Sequence, residues 1–191
     1  VIEPDILGIA FQCAEAMERA QVPYFLGGSL ASSLQGEPRA TNDIDFVVDL
    51  RPEQVRPLID ALGEDFDVDE EALREAVSRR SSWNIFHIPT VTKVDLFILR
   101  QEPFDKSEFA RRRRVVLPPE QRGLYIKSPE DSVLRKLLWF RDGGGSSTTQ
   151  WRDIVQILRL AGAQLDQAYL AEWAARLEVA SLLAKAREAA G

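Results

Sequence analysis

One cysteine, one histidine and one methionine occur in the 191 residues. Cys13 by itself cannot form an internal disulfide, and its lack of histidine neighbours argues against a zinc site. His87 lies between Phe86 and Ile88 beside Pro89, a pattern that suits a half-buried strand position better than a catalytic one. No apolar run approaches the roughly 20 residues that span a bilayer, and no basic stretch precedes an apolar one at the N-terminus. These absences exclude a disulfide scaffold and a membrane-spanning helix, and they lead us to expect a reducing, cytoplasmic setting. The chain opens at Val1 and its methionine is Met17, so the natural start is expected upstream of Val1 or removed by processing.

Hydrophobic residues make up 45% and charged residues 28%, enough apolar material for one core with a small appended helical unit. The net charge of −6 is unevenly spread. Between Arg100 and Arg141, eleven Lys and Arg stand against six Asp and Glu, a local excess of +5. Within it, Arg111, Arg112, Arg113 and Arg114 read either as a solvated helix end or turn, or as a basic rim for a polyanion such as RNA.

Apolar residues Ile6, Ile9, Ala10, Cys13, Met17 and Ala20 recur at helical spacing and predict a helix from about Pro4 to Ala20. A short strand Tyr24–Leu26 runs into Gly27-Gly28, and Ser29 is placed to cap a helix that ends before Gly36 and Pro38. A second strand, Ile44 to Val48, follows. Pro52 opens a helix to Leu62, and Glu70 to Ser78 forms another. Trp83–Ile88 and Thr92–Leu99 read as a hairpin joined at Pro89-Thr90. From Ser128 onward the pattern is helical: about Pro129 to Arg141, Trp151 to Leu160, and two more within Gln167 to Arg187. The expected fold class is α/β (α+β), a small mixed sheet flanked by helices over residues 1–125, with a helical region over 126–191 packed on it.

Three aspartates stand in or beside apolar strands. In an extended strand, side chains two apart share a face, so Asp43 and Asp45 present paired carboxylates while Ile44 and Phe46 turn the other way. Asp95 sits inside Lys93-Val94-Asp95-Leu96. Burying unpaired carboxylates is costly, and three of them call for a shared cation unless Asp43 is solvated and Asp95 pairs with Lys93. Hard oxygen ligands of this kind suit Mg²⁺ or Mn²⁺, which leave coordination positions for phosphate oxygens. The Gly27-Gly28-Ser29 turn, at a helix start, offers backbone N–H groups to those phosphates. Arg39 and Thr41 read either as surface loop or as groups that position phosphate. Trp83, Trp139, Trp151 and Trp173 read as packing residues, with Trp139 able to stack a base.

The order Gly-Gly-Ser followed by Asp-x-Asp resembles the signature of the nucleotidyltransferase superfamily, the polymerase-beta-like fold. Arg39-Ala40-Thr41-Asn42-Asp43-Ile44-Asp45 is similar, position for position, to the Arg-x-Thr-x-Asp-x-Asp segment of AbiEii-like toxin-type nucleotidyltransferases. The helix Ser128-Pro129-Glu130-Asp131 to Lys136-Leu137 and the segment Trp151-Arg152-Asp153-Ile154 resemble later motifs of that family. The resemblance implies transfer of a nucleoside monophosphate from an NTP, with pyrophosphate released. Asp43, Asp45 and Asp95 would be the metal and catalytic carboxylates, and Gly28, Ser29, Arg39 and Thr41 would bind the nucleotide. Lys136 would touch the triphosphate, and Asp153 would orient Lys136 or help position the acceptor. Together with the local excess of +5, the resemblance points to an RNA or tRNA acceptor gripped by Arg111, Arg112, Arg113 and Arg114, and the toxin-type likeness points to an antitoxin partner. Two alternatives stay open: a small-molecule, aminoglycoside-like acceptor, or a non-catalytic nucleotide-binding or antitoxin-type module.

Overall fold

The computed structural model describes residues 5–37, 40–117 and 122–191. Helix α1 (Ile6–Arg19) starts at Asp5, whose carboxylate accepts from the Gly8 N–H at 2.9 Å, and it buries Ile9, Ala10, Cys13 and Met17. Strand β1 (Tyr24–Leu26) ends at the glycine pair, and α2 (Gly28–Gln35) begins there. Ser29 therefore lies within the first turn and not at the cap, because Gly28, with φ +57, already makes the turn into the helix. Strand β2 (Ile44–Val48) follows. Pro52 opens a 3₁₀ turn, Pro52–Gln54, rather than an α-helix, and α3 (Val55–Leu62) continues from it. A two-residue strand β3 (Phe66–Asp67) comes next, then α4 (Glu70–Arg79), capped by Asp69 on the Ala72 N–H at 3.0 Å. The expected hairpin is present as β4 (Ser82–His87) and β5 (Thr92–Ile98). His87 is buried in it, its Nδ1 2.7 Å from Thr90 Oγ1.

Residues 100–127 hold elements that periodicity did not disclose: α5 (Pro103–Ala110), β6 (Arg113–Leu117) and β7 (Arg122–Ile126). Among the described residues the strands form one mixed sheet in the order β3-β4-β5-β2-β1-β7-β6. β2 runs parallel to β5 and β1 parallel to β7; the other neighbours are antiparallel.

Burial alternates along the central strands. Ile44, Phe46 and Val48 of β2 are buried, as are Val94, Leu96 and Ile98 of β5. On this side α1 packs on α3 and β7, and α3 on α4, which meets β4. Each such apolar side chain contributes roughly 1.5–3 kcal/mol by leaving water. A one-residue slip would exchange them for Asp45 and Asp95, so the pattern fixes the register and sends both carboxylates to the opposite face. On that face α5 covers one end: Phe109 packs with Phe25 and Leu99, with Val47 and Tyr125 against them.

The chain divides into two compact units. The first is Val1–Leu30 with Ala40–Lys127, and the second is Ala31–Arg39 with Ser128–Gly191, so residues 31–39 group with the C-terminal helices. The second unit holds α6 (Pro129–Asp142), α7 (Thr148–Ala161), α8 (Gln167–Arg176) and α9 (Ala180–Ala190). Ser128 caps α6 through the Asp131 N–H at 3.1 Å, with proline at the first helical position. The Asp131 carboxylate also accepts from Ser128 Oγ and Tyr169 Oη, each at 2.6 Å. Val133, Leu134, Leu137, Ile154, Ile157, Leu170 and Leu183 form the interior of this unit. No helix among the described residues is long and apolar enough to cross a membrane.

Candidate active site

Strand pairing assembles a polar row across the sheet. Asp45 on β2 lies directly beside Asp95 on β5, and Asn84 on β4 is paired with Asp95 from the other side. Beyond Asp45, the Gly27 N–H donates to the Asp45 carbonyl at 2.7 Å, so the glycine turn continues the same row. Asp43 stands just before β2, exposed, with its N–H donating to Thr41 Oγ1 at 3.3 Å. Thr41 thus fixes the backbone that presents the first aspartate.

Gly28 is shaped around Asp45. A side-chain carbon added at Gly28 would fall 1.8 Å from Asp45 Oδ2, whereas one at Gly27 would meet nothing nearer than 3.5 Å. Only the second glycine is demanded by the site. The Asp45 carboxyl is raised above the ordinary carboxylate range, chiefly by burial and then by the charges of Asp95 and Asp43; Lys93 and Lys127 oppose the rise. Lys93 Nζ lies 2.8 Å from Asp95 Oδ2, an ion pair with the lysine side chain 44% exposed. Among the described residues no three His, Cys, Asp or Glu side chains are gathered closely enough to enclose a metal ion as they stand.

Lys136 and Asp153 come together in the second unit. Both are buried, and Lys136 Nζ donates to Asp153 Oδ2 at 2.8 Å and to Gln150 Oε1 at 3.0 Å. A buried ion pair is weak evidence for added stability, since well-packed apolar residues do as well. Gln150, a turn before Asp153, was not legible as a partner in the sequence. Arg39 lies outside the described residues.

The arginine run is divided by the fold. Arg111 follows α5 and is half-buried, and the Arg112 guanidinium stacks 4.4 Å over Phe109 while its Nη1 donates to the Phe109 carbonyl at 2.6 Å. Arg113 and Arg114 are exposed on β6, at the sheet edge. Charge on an edge strand also discourages pairing with another chain. Reading four arginines as one patch overlooked the two that pack inward.

Lys127 is the residue that sequence reasoning passed over, counting it only toward the local basic excess. It follows β7, is buried, and its Nζ lies 3.3 Å from Glu108 Oε1 on α5 and 5.4 Å from the centre of the Phe25 ring. The available signal was a lysine closing the apolar strand Leu124-Tyr125-Ile126.

No protein-family model and no curated protein sequence matches the chain. Solved structures do. An antigenic nucleotidyltransferase-like protein from Paracoccidioides brasiliensis superposes with a TM-score of 0.60 at 19% identity, over 97% of this chain and 93% of that one. The antibiotic-resistance factor ANT(2'')-Ia superposes with a TM-score of 0.56 at 12% identity, over 95% and 99% of the two chains. Matched over nearly its whole length to both, the chain has the nucleotidyltransferase fold.

Proposed function

We propose that the protein is a Mg²⁺- or Mn²⁺-dependent nucleotidyltransferase that moves a nucleoside monophosphate from an NTP to an acceptor. The observation that carries this reading is the row in which Asp45 faces Asp95 beside a glycine turn whose missing side chain makes room for the Asp45 carboxylate. The donor set supports a hard divalent cation: clustered carboxylates repel one another, and an ammonium already lies on Asp95. Asp43 and Asp45 would hold the metal, with Asp95 completing the site once Lys93 withdraws. The ion would neutralise charge on the phosphate oxygens and orient them. Gly28 and Ser29 would seat the phosphates on backbone N–H groups, while Thr41 steadies Asp43. Lys136, oriented by Asp153, would contact the triphosphate, and Arg39 would assist.

Incubating the protein with Mg²⁺, each labelled NTP and either total RNA or aminoglycosides tests the reading. Label transfer with pyrophosphate release is expected; NTP binding without transfer to any acceptor would instead indicate a binding module. Lys93→Met removes the competing ammonium from a half-exposed pair, so Mn²⁺ should bind the nucleotide-free protein about two- to fivefold more tightly in calorimetry. Unchanged affinity would take Asp95 out of the metal site.

For the acceptor we propose RNA, and with it a toxin-type enzyme of the AbiEii-like kind regulated by an antitoxin, on the strength of the Thr41-x-Asp43-x-Asp45 order and the exposed Arg113 and Arg114. The inward packing of Arg111 and Arg112, and the likeness to an antibiotic-resistance factor, favour a small-molecule acceptor as the second reading. Arg113→Ala/Arg114→Ala should flatten the dependence of log tRNA affinity on log salt by about 1.4–1.8 units. An unchanged slope would move the small-molecule acceptor ahead.

A further inference from the structure

Lys127 occupies the far end of the polar row. Its N–H donates to the Leu26 carbonyl at 3.2 Å, continuing the parallel pairing of β1 with β7 that sets Leu26 beside Ile126. Counted in that register, Lys127 stands next to Gly27, and Gly27 next to Asp45. Side chains alternate, so Lys127 emerges on the face that carries Phe25, Asp45 and Asp95. Gly27 has no side chain, and the Lys127 Cε passes 3.5 Å from the point where one would begin. The lysine stem therefore lies over Gly27, the neighbour of both Asp45 and Gly28, and its charge is felt at the Asp45 carboxyl. Glu108 on α5 pairs with the ammonium at 3.3 Å, and the centre of the Phe25 ring lies 5.4 Å from it.

A buried lysine with its own glutamate needs nothing further for the fold, and a pair of leucines would pack as well. Its place beside Gly27 carries the inference. The lysine brings positive charge to the end of the row where backbone N–H groups of a helix start already favour an anion.

We propose that Lys127 is a further phosphate-anchoring residue, reaching across Gly27 to the anion seat at Gly28 and Ser29 and held in position by Glu108. This rests on the nucleotidyltransferase reading above. The ligand class is the polyphosphate chain of a nucleotide bound with a divalent cation, and a lysine meets it as a point charge that takes oxygens in several orientations.

Lys127→Met alone leaves Glu108 buried without its cation, so loss of folding is a foreseeable result. Lys127→Met/Glu108→Leu removes both charges and keeps the volume apolar. The probe is inorganic tripolyphosphate with Mg²⁺, titrated calorimetrically, beside thermal melts of each variant. The double variant should melt at or above the wild-type temperature yet bind the probe about 10- to 100-fold more weakly, as expected for loss of a hydrogen bond between charged groups. Lys127→Arg, which keeps the charge, should recover most of that affinity. Wild-type affinity in a folded double variant overturns the role of Lys127 and leaves the nucleotidyltransferase reading standing. Failure of the wild-type protein to bind either Mg²⁺-tripolyphosphate or any Mg²⁺-NTP removes both.

Discussion

On the function proposed above, Asp45→Asn should lower nucleotidyl transfer by roughly 10³-fold and leave the metal-free protein at least as stable as wild type at pH 7. The loss would follow from removing a proposed ligand to a cation worth several kcal/mol in the transition state, each 1.36 kcal/mol being a factor of about ten. The stability effect has the opposite sign because of where Asp45 sits. Burial, with Asp95 and Asp43 close by, raises its carboxyl in the folded state. The folded chain then holds that proton more tightly than the unfolded chain does. Stability from this group is fully present below the unfolded value and is lost as pH rises through the raised folded value. At neutral pH the wild-type carboxylate is therefore a liability that the amide lacks. Melts in a chelator should show the variant's advantage at pH 7 shrinking as pH falls toward 4. Added Mg²⁺ should raise the melting temperature of wild type and leave that of the variant nearly unchanged. A variant that melts well below wild type at pH 7 would identify Asp45 as a structural residue.

Gly28→Ala should be severe and Gly27→Ala mild, although the two residues are adjacent and chemically identical. Gly28 has φ +57, a left-handed conformation that costs an alanine about 1–2 kcal/mol. In a chain of this length that is about 2–8 °C of melting temperature. The added carbon also falls on Asp45 Oδ2. The carboxylate has to move by an ångström or more, and misplacement on that scale costs about 10²-fold in rate. At Gly27 the same carbon would lie 3.5–3.7 Å from Lys127, Phe25 and the Asp45 carbonyl, which is ordinary contact. Its variant should keep wild-type melting and lose no more than about threefold in rate. Equal losses at the two positions would show that the turn works as a flexible hinge and not as a mould for Asp45.

The parts of the fold that local chemistry encodes were legible in the sequence. The bounds of β1 and β2 follow from short apolar runs between punctuating residues, and α6 from its serine, proline and early acids. The region from Pro103 to Ile126 was not, because its local signals conflict. In α5 the buried apolar residues are Phe104 and Phe109, five apart, and Glu108 is buried beside them, so no helical stripe appears. β6 begins with two arginines because it is an edge strand, and edge strands carry charge. The site divides in the same way. Asp43, Asp45 and Gly28 fall within one short stretch, and Asp95 stands as an aspartate in an apolar strand, so local pattern was enough to single them out as candidates. Lys127 and Glu108 were not singled out, since Lys127 comes beside Gly27 only through pairing between strands far apart in the chain, and Glu108 meets it from a helix between them, which no local pattern records.

That distant pairing also constrains how the protein can be assembled. Leu26 and Ile126 are about 100 residues apart, and β1 keeps an open edge on that side until β7 arrives. During synthesis every carboxylate of the row has left the ribosome well before the lysine that closes it. Joining ends so far apart costs more chain entropy than closing the β4–β5 hairpin, so the β1–β7 contact belongs late in folding. Until then the nascent chain exposes the backbone of β1 to any passing strand. Chains ending between β5 and β7 should therefore aggregate, whereas the same residues in the full chain should not.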